Sequence, residues 1–261
     1  MAEYNELYAR AVYYDIVFKR DVRPDCDFIQ AAFRAKTGRE LTSALDIACG
    51  PGYHARELAR RGVRAVGVDL RPEMIQYARD ESRAEGTDVE WLVADMRAIQ
   101  LDPPVDMALS MYDALDCLVT NVELVEHFQT VARNLTDQGL FLVELTHPRE
   151  LPYAGYEAFE YAGERDGTSI TVTWGANNPR RDPVTGIAEV DVRLHIDDHG
   201  ESIDVLDHAR ERFLLPQEIA LLAELSGVFD VVGWYGKYSL DQPLTAGDES
   251  EWVIGLLQKR G

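Results

Sequence analysis

The chain has 261 residues, 46% of them hydrophobic, which is enough to bury a large core in one α/β domain or two small ones. Its 46 acidic residues against 26 basic ones leave a formal net charge of -20, a field that repels polyanions and anionic lipid headgroups. RNA, DNA and membrane surfaces are therefore not expected partners, and the one short basic cluster, Arg180 and Arg181, sits beside Asp182 in a turn-like stretch.

Three widely spaced cysteines, Cys26, Cys49 and Cys117, form no C-x-x-C pair and read as reduced thiols, which together with an N-terminus lacking a long apolar run makes a cytoplasmic location the expectation. No set of His, Cys and carboxylates has metal-ligand spacing, so no metal is expected.

In chain order, short apolar runs alternate with amphipathic stretches, the pattern of βαβ units. Strands are predicted at Ser43 to Ile47, Arg64 to Asp69, Val89 to Val93, Val105 to Ser110 and Gly139 to Glu144, each apolar enough to be covered on both faces. Helices fill the gaps: Tyr53 to Arg61, a second opened by Pro72, and a third whose stripe is Val122, Val125, Phe128, Val131, Ala132 and Leu135. From about 148 to 215 the helical period gives way to β-like runs and turn signals at Asp166-Gly167, Asn177 to Gly186 and Asp197 to Gly200. In one run Val190, Val192, Leu194 and Ile196 alternate with Asp191, Arg193, His195 and Asp197, giving one apolar face and one polar face. This antiparallel insertion follows a strand's carboxyl end, where it can fold as a lid over a ligand crevice; a remote interaction flap is the alternative. A helix at Pro216 to Leu225 and strands at Phe229 to Tyr235 and Glu251 to Lys259 complete the chain.

The chemistry concentrates in Asp46-Ile47-Ala48-Cys49-Gly50-Pro51-Gly52. Two glycines in one tight turn let a ligand approach the main chain, and the first amides of the following helix are free donors. Alone, this turn also fits a dinucleotide fingerprint, and an NAD-dependent oxidoreductase stays open. Asp46, inside an apolar strand, must find donors nearby. Asp69, ending the second strand, is placed to take both ribose hydroxyls under either nucleoside reading. Asp95-Met96 after the third strand then favours an adenine site, putting a carboxylate and a thioether at its edge and face.

In order and spacing, D-I-A-C-G-P-G, G-V-D-L-R-P-E-M, A-D-M and the fourth-strand segment Met111-Tyr112-Asp113-Ala114-Leu115 resemble the successive motifs of class I S-adenosylmethionine-dependent methyltransferases. The resemblance covers about Ser43 to Leu145 well. It implies a doubly wound, mostly parallel seven-stranded sheet with the last strand antiparallel, in one domain with an N-terminal helical cap over about 1 to 40. It also implies S-adenosylmethionine contacts from Tyr14, Asp46, Ala48, Gly50, Gly52, Asp69, Leu70, Met74, Asp95, Met96 and Met111. Among these, Met74 and Met96 would flank adenine, Asp95 would accept from its amine, and Tyr14 of Tyr14-Asp15-Ile16-Val17-Phe18 would close over the cofactor. The fourth strand lacks an Asn-Pro-Pro-Tyr segment, which with the charge favours a small-molecule acceptor, nitrogen ahead of oxygen. The β insertion is similar to that of the family's small-molecule N-methyltransferases. Candidate acceptor-side groups are Tyr14, Asp113 and His147, the last two as bases where a hydroxyl is the acceptor. His195 is expected in solvent, His54 as an ordinary helix residue, and His127, His199 and His208 show no partner pattern. A catalytically silent S-adenosylmethionine-binding partner protein is the alternative function, and a homodimer remains an open assembly.

Overall fold

A computed structural model describes residues 6–150 and 157–261, so the stretch 151–156 of the expected lid and the first five residues of the expected cap lie outside the described residues. Helices α1 (Ala11–Phe18) and α2 (Arg23–Thr37) precede a run of β1 (Ser43–Ile47), α3 (Tyr53–Arg60), β2 (Arg64–Asp69), α4 (Pro72–Glu85), β3 (Val89–Val93) and β4 (Val105–Ser110). A short 3₁₀ turn (Ala114–Cys117), α5 (Asn121–Arg133) and β5 (Leu135–Thr146) follow. Next come four strands, β6 (Phe159–Arg165), β7 (Thr168–Trp174), β8 (Ile187–Asp198) and β9 (Glu201–Arg212), and the chain ends with α6 (Pro216–Ser226), β10 (Phe229–Tyr235) and β11 (Trp252–Lys259).

The main sheet has seven strands in the order β10-β11-β5-β4-β1-β2-β3. Only β11 is reversed, pairing antiparallel with both β10 and β5. Side chains of β5 alternate between two apolar layers. Phe141, Val143 and Leu145 join Phe128 of α5 and Phe229 on one face, whereas Leu140 and Leu142 join Phe28, Ile29 and Phe33 of α2 on the other. Burying each such side chain contributes about 1.5–3 kcal/mol relative to leaving it exposed. Local signals agree with these layers. Pro72 opens α4, and Thr120 and Glu123 form a reciprocal capping box at the start of α5, with Glu123 N–H on Thr120 Oγ1 at 3.2 Å and Thr120 N–H on Glu123 Oε2 at 3.1 Å.

Two strand expectations change. β3 is the sheet's edge and is not covered on both faces, for Val93 is 52% exposed. β5 begins four residues before Gly139, because Leu135 already pairs with Val105; the polar stretch between them is a bulge with Gln138 at φ 59°.

The insertion is a separate four-stranded antiparallel meander, β6-β7-β8-β9. Its hairpin turns are where Asp166-Gly167 (φ 51° and 82°) and His199-Gly200 (φ 54° and 88°) predict them, both residues of each pair left-handed as a two-residue turn needs. Val190, Val192, Leu194 and Ile196 are buried as expected. Their cover is not the open end of the main sheet, though, but Leu7 and the side chains of α1.

Close packing at the edge of the main sheet generates a test. Trp91 of β3 lies against Gly67 of β2 so tightly that a Cβ on Gly67 would stand 2.2 Å from the indole ring. Gly67→Ala should cost about 1–3 kcal/mol through overpacking, and Trp91→Leu in the same chain should recover part of that loss. Urea unfolding of the two single variants and the double variant checks this; additive losses would show that the ring is not the obstacle.

Candidate active site

The turn after β1 is built from left-handed residues: Ala48 has φ 52°, Gly50 φ 52° and Gly52 φ 76°. Two carboxylates hold it. Asp46 Oδ2 accepts the Ala55 N–H at 3.2 Å inside the first turn of α3, and Asp69 Oδ2 accepts the Gly50 N–H at 2.9 Å. Burial pushes the Asp46 carboxyl up to about 6, and it raises that of Asp69 as well. A Cβ on Gly52 would collide with Trp91, whereas one on Gly50 would meet nothing within 4 Å. The turn is thus wedged from beneath by an indole and open above, a shape that admits a ligand against the main chain of Gly50.

Next to it, Asp69 Oδ1 accepts the Arg71 N–H at 2.8 Å, and Leu70 stands 40% exposed. Met74 and Met111 have different surroundings from those expected: at 1% and 4% exposure both belong to the apolar interior. Leu70, not Met74, offers apolar surface on the β2 side. Met96 is half-buried against the α5 layer. Asp95 faces Arg97 through a 2.7 Å ion pair and a 2.8 Å bond from the Arg97 N–H, and the guanidinium holds its carboxyl below the usual range. An adenine amine at Asp95 would share that carboxylate with Arg97.

Helix α1 lies across the carboxyl ends of the strands. Tyr14 stacks on Tyr8 at 5.7 Å and on Phe18 at 4.7 Å, and Phe18 meets Tyr161 of β6 at 5.1 Å. Burial, together with the charge of nearby Asp69, pushes the Tyr14 hydroxyl up to about 12. Tyr8 is still 38% exposed and Cys117 exposed, although burial raises the pKa of both, the Cys117 thiol to about 12. Tyr14, Glu211, Cys117 and Asp69 all act on the Tyr8 hydroxyl, so the chain entering α1 is coupled to the end of β2, to β9 and to the 3₁₀ turn. Neighbouring Asp15 is fully buried, accepting from Tyr53 of α3 at 2.7 Å and from Arg165 of β6 at 2.5 Å. The sequence reading gave no role to Asp15.

Two of the expected acceptor-side groups are tied into the scaffold at the end of β5. Asp113, at φ 56°, accepts from the Thr146 N–H at 2.5 Å and from Thr146 Oγ1 at 2.6 Å, so both of its oxygens brace the end of β5. His147 is 6% exposed with both ring nitrogens engaged: Nε2 lies 2.9 Å from the Thr245 carbonyl, and Nδ1 accepts the Arg149 N–H at 3.2 Å. It ties the root of the insertion to the 239–250 loop, which corrects the expectation of a base there: an imidazole accepting from one amide and donating to one carbonyl has no lone pair left for a substrate proton. The residue missed is Asp116. It lies on the 3₁₀ turn, three after Asp113, is 7% exposed, and has an Oδ1 without a hydrogen-bond partner. The i, i+3 spacing of D-A-L-D was its only sequence signal.

His195 is exposed and His54 lies on α3, both as expected, but the histidines have partners that the sequence did not show. His54 is buried with Nε2 3.0 Å from Asp25, and His127 bonds the Met96 carbonyl at 3.0 Å. His199 and His208 pair with Asp198 and Asp191, and exposed His195 faces Asp204. Short sequence windows could not show these partners because most come from other elements.

Residues 44–139 match the family model described as a methyltransferase domain. Over its whole length the fold superposes on a S-adenosylmethionine-dependent methyltransferase from Clostridium acetobutylicum with a TM-score of 0.79 and 18% identity, covering 97% of this chain and 98% of that one. Residues 44–139 thus carry a methyltransferase domain, and the chain as a whole has the fold of S-adenosylmethionine-dependent methyltransferases. It is 26% identical over 215 residues to a cypemycin N-terminal methyltransferase from Streptomyces, spanning 81% of this chain and 82% of that protein. It is 27% identical over 125 residues to a dTDP-3-amino-3,4,6-trideoxy-alpha-D-glucopyranose N,N-dimethyltransferase from Streptomyces venezuelae, 48% of this chain and 51% of that one. With several other curated relatives the match spans less than half of the relative's length. With this domain match the dinucleotide alternative lapses, and the open side of Gly50 fits a cofactor lying against the turn.

Asp69→Ala should remove the ribose grip and weaken S-adenosylhomocysteine binding by about 1.5–3 kcal/mol, the range for hydrogen bonds to a charged group. Calorimetry on the folded variant checks this; unchanged affinity would place the ribose elsewhere.

Proposed function

We propose that this protein transfers the methyl group of S-adenosylmethionine to an amine nitrogen of a small-molecule acceptor held between the strand ends and the β6–β9 sheet. The observation that carries the reading is the chemistry of the acceptor side. Asp113, which accepts from Thr146, and Asp116 border one cavity together with Arg181. Carboxylates there give the positive charge of an amine a place, and beyond that an amine needs alignment and exclusion of water. Of the two curated relatives above, one is by name an N-terminal methyltransferase and the other an N,N-dimethyltransferase, and the net charge of -20 disfavours a nucleic-acid acceptor.

When bound, S-adenosylmethionine supplies a methyl carbon attached to a positively charged sulfur. The chain's part is to hold and enclose. Gly50, Asp69 and Leu70 offer backbone, carboxylate and apolar surface on the cofactor side, and Tyr14, with α1 above it, shields the cleft from bulk water. A cavity of about 70 Å³ beside Asp113 and Thr146 leaves room for an acceptor group, which a silent cofactor-binding protein would not need.

Among the described residues no helix is long and apolar enough to cross a membrane, and no cluster of His, Cys, Asp or Glu is disposed to hold a metal. Tritiated methyl transfer to a small-metabolite pool, bulk RNA and bulk DNA tests the proposal. Label should appear in the metabolite pool, in products whose new methyl sits on nitrogen. Labelling of nucleic acid alone, or of oxygen alone, would contradict it.

A further inference from the structure

Under the β6–β9 sheet, the cavity of about 70 Å³ is bounded by Asp113, Asp116, Thr146, Arg181 and Phe213. It has space for several water-sized groups, about the bulk of a small amine head. Asp116 is the one carboxylate on this wall left with an oxygen without a hydrogen-bond partner while more than nine-tenths buried. Such an orphan is costly unless something fills the cavity, since a buried acceptor without a donor costs about 1–3 kcal/mol. We propose that Asp116 is the acceptor-binding carboxylate of this enzyme: it receives the ammonium group of a small primary or secondary amine in this cavity and takes its proton before methyl transfer.

The inference rests on the N-methyltransferase reading and names the residue that would serve it. Charges around the cavity favour a cation. Asp113 and Glu211 act on Asp116 from the same 3₁₀ turn and from β9, and Arg181 opposes them. Arg181 is already directed to backbone, with Nε on the Gly186 carbonyl at 3.1 Å and Nη2 on that of Phe213 at 3.1 Å. An arriving ammonium would leave the carboxylates less mutually repelled and supply the donor that Oδ1 lacks. Burial, then Asp113 and Glu211, raise the Asp116 pKa well above the usual carboxylate value, which suits a group that must take a proton from an amine.

The step balances. The ammonium N–H bond breaks and its proton passes to Asp116, leaving a neutral amine with a lone pair. A nitrogen–carbon bond then forms to the methyl carbon as the carbon–sulfur bond breaks, and that electron pair stays on sulfur. The products are neutral S-adenosylhomocysteine and a methylated ammonium.

The test uses the full chain saturated with S-adenosylhomocysteine and ligand-observed NMR titrations with ethylamine, cyclohexylamine, ethanol and cyclohexanol. At least one amine should bind at least ten-fold tighter than its alcohol, with Asp116→Asn abolishing that preference while S-adenosylhomocysteine affinity stays within two-fold. In transfer assays the same variant should lose at least a hundred-fold in kcat/KM toward amines, with the loss greatest at pH values above the Asp116 pKa and below that of the amine, where the wild-type carboxylate is ionised and free amine is scarce. Wild-type protein that shows no amine preference overturns the proposal without needing any variant. So does a folded Asp116→Asn protein that keeps the preference. If nitrogen products form normally in Asp116→Asn, the subsite fails while the N-methyltransferase reading stands; if wild-type protein labels only oxygen, that reading fails first.

Discussion

Everything at the functional end of this molecule depends on one left-handed turn being held open. The main chain from Ala48 to Gly52 turns through positive φ at three residues, with the Gly52 N–H closing on the Cys49 carbonyl at 2.8 Å and the Cys49 N–H on that of Val68 at 3.0 Å. Carboxylates from two adjacent parallel strands anchor the rest: Asp46 reaches forward to Ala55 of α3, and Asp69 reaches across to the Gly50 amide. Both are desolvated, and a shift of one pKa unit corresponds to about 1.4 kcal/mol of differential interaction, so the raised Asp46 pKa near 6 indicates that these bonds only partly offset the burial. Trp91 underneath prevents the turn from collapsing inward. What remains is a concave stretch of backbone facing open space, at the point where the strand order reverses from β1-β2 to β1-β4.

A second constraint joins this turn to the cover above it. Asp15 accepts from α3, the helix that begins at the turn, and from Arg165 on the first strand of the meander. Burial alone would raise its carboxyl, but hydrogen bonds from Arg165, Tyr53 and Tyr77 outweigh it and keep the carboxyl low. One buried charge therefore fixes α1, the meander and the cofactor turn to a common position. Gly163 of β6 shows how close they are: a Cβ there would lie 2.2 Å from the Ile16 carbonyl oxygen.

Much of this was legible in the sequence, and the reasons differ by element. Strands β1, β2 and β4 are buried on both faces, so they appear as continuous apolar runs with turn residues at their ends. The meander was legible from alternation and from D-G and H-G turns. Those are local signals. Which side chain meets which is not local. Met74 sits where a motif suggests an adenine contact, yet on α4 it is buried, and only the three-dimensional packing shows that Leu70 keeps the open surface. His147 looked available because Thr245, its partner, lies 98 residues away. Asp15 and Asp116 escaped notice for the same reason, since their meaning comes from what surrounds them and not from spacing.

Hydrogen–deuterium exchange with and without S-adenosylhomocysteine tests most directly the claim that one cleft, formed by the β1–α3 turn, α1 and the meander, receives the cofactor. The account predicts slowed exchange in three separated stretches at once, 11–18, 46–55 and 69–74, with β6 and β9 protected more weakly. Protection confined to the turn, with α1 and the meander unchanged, would contradict it.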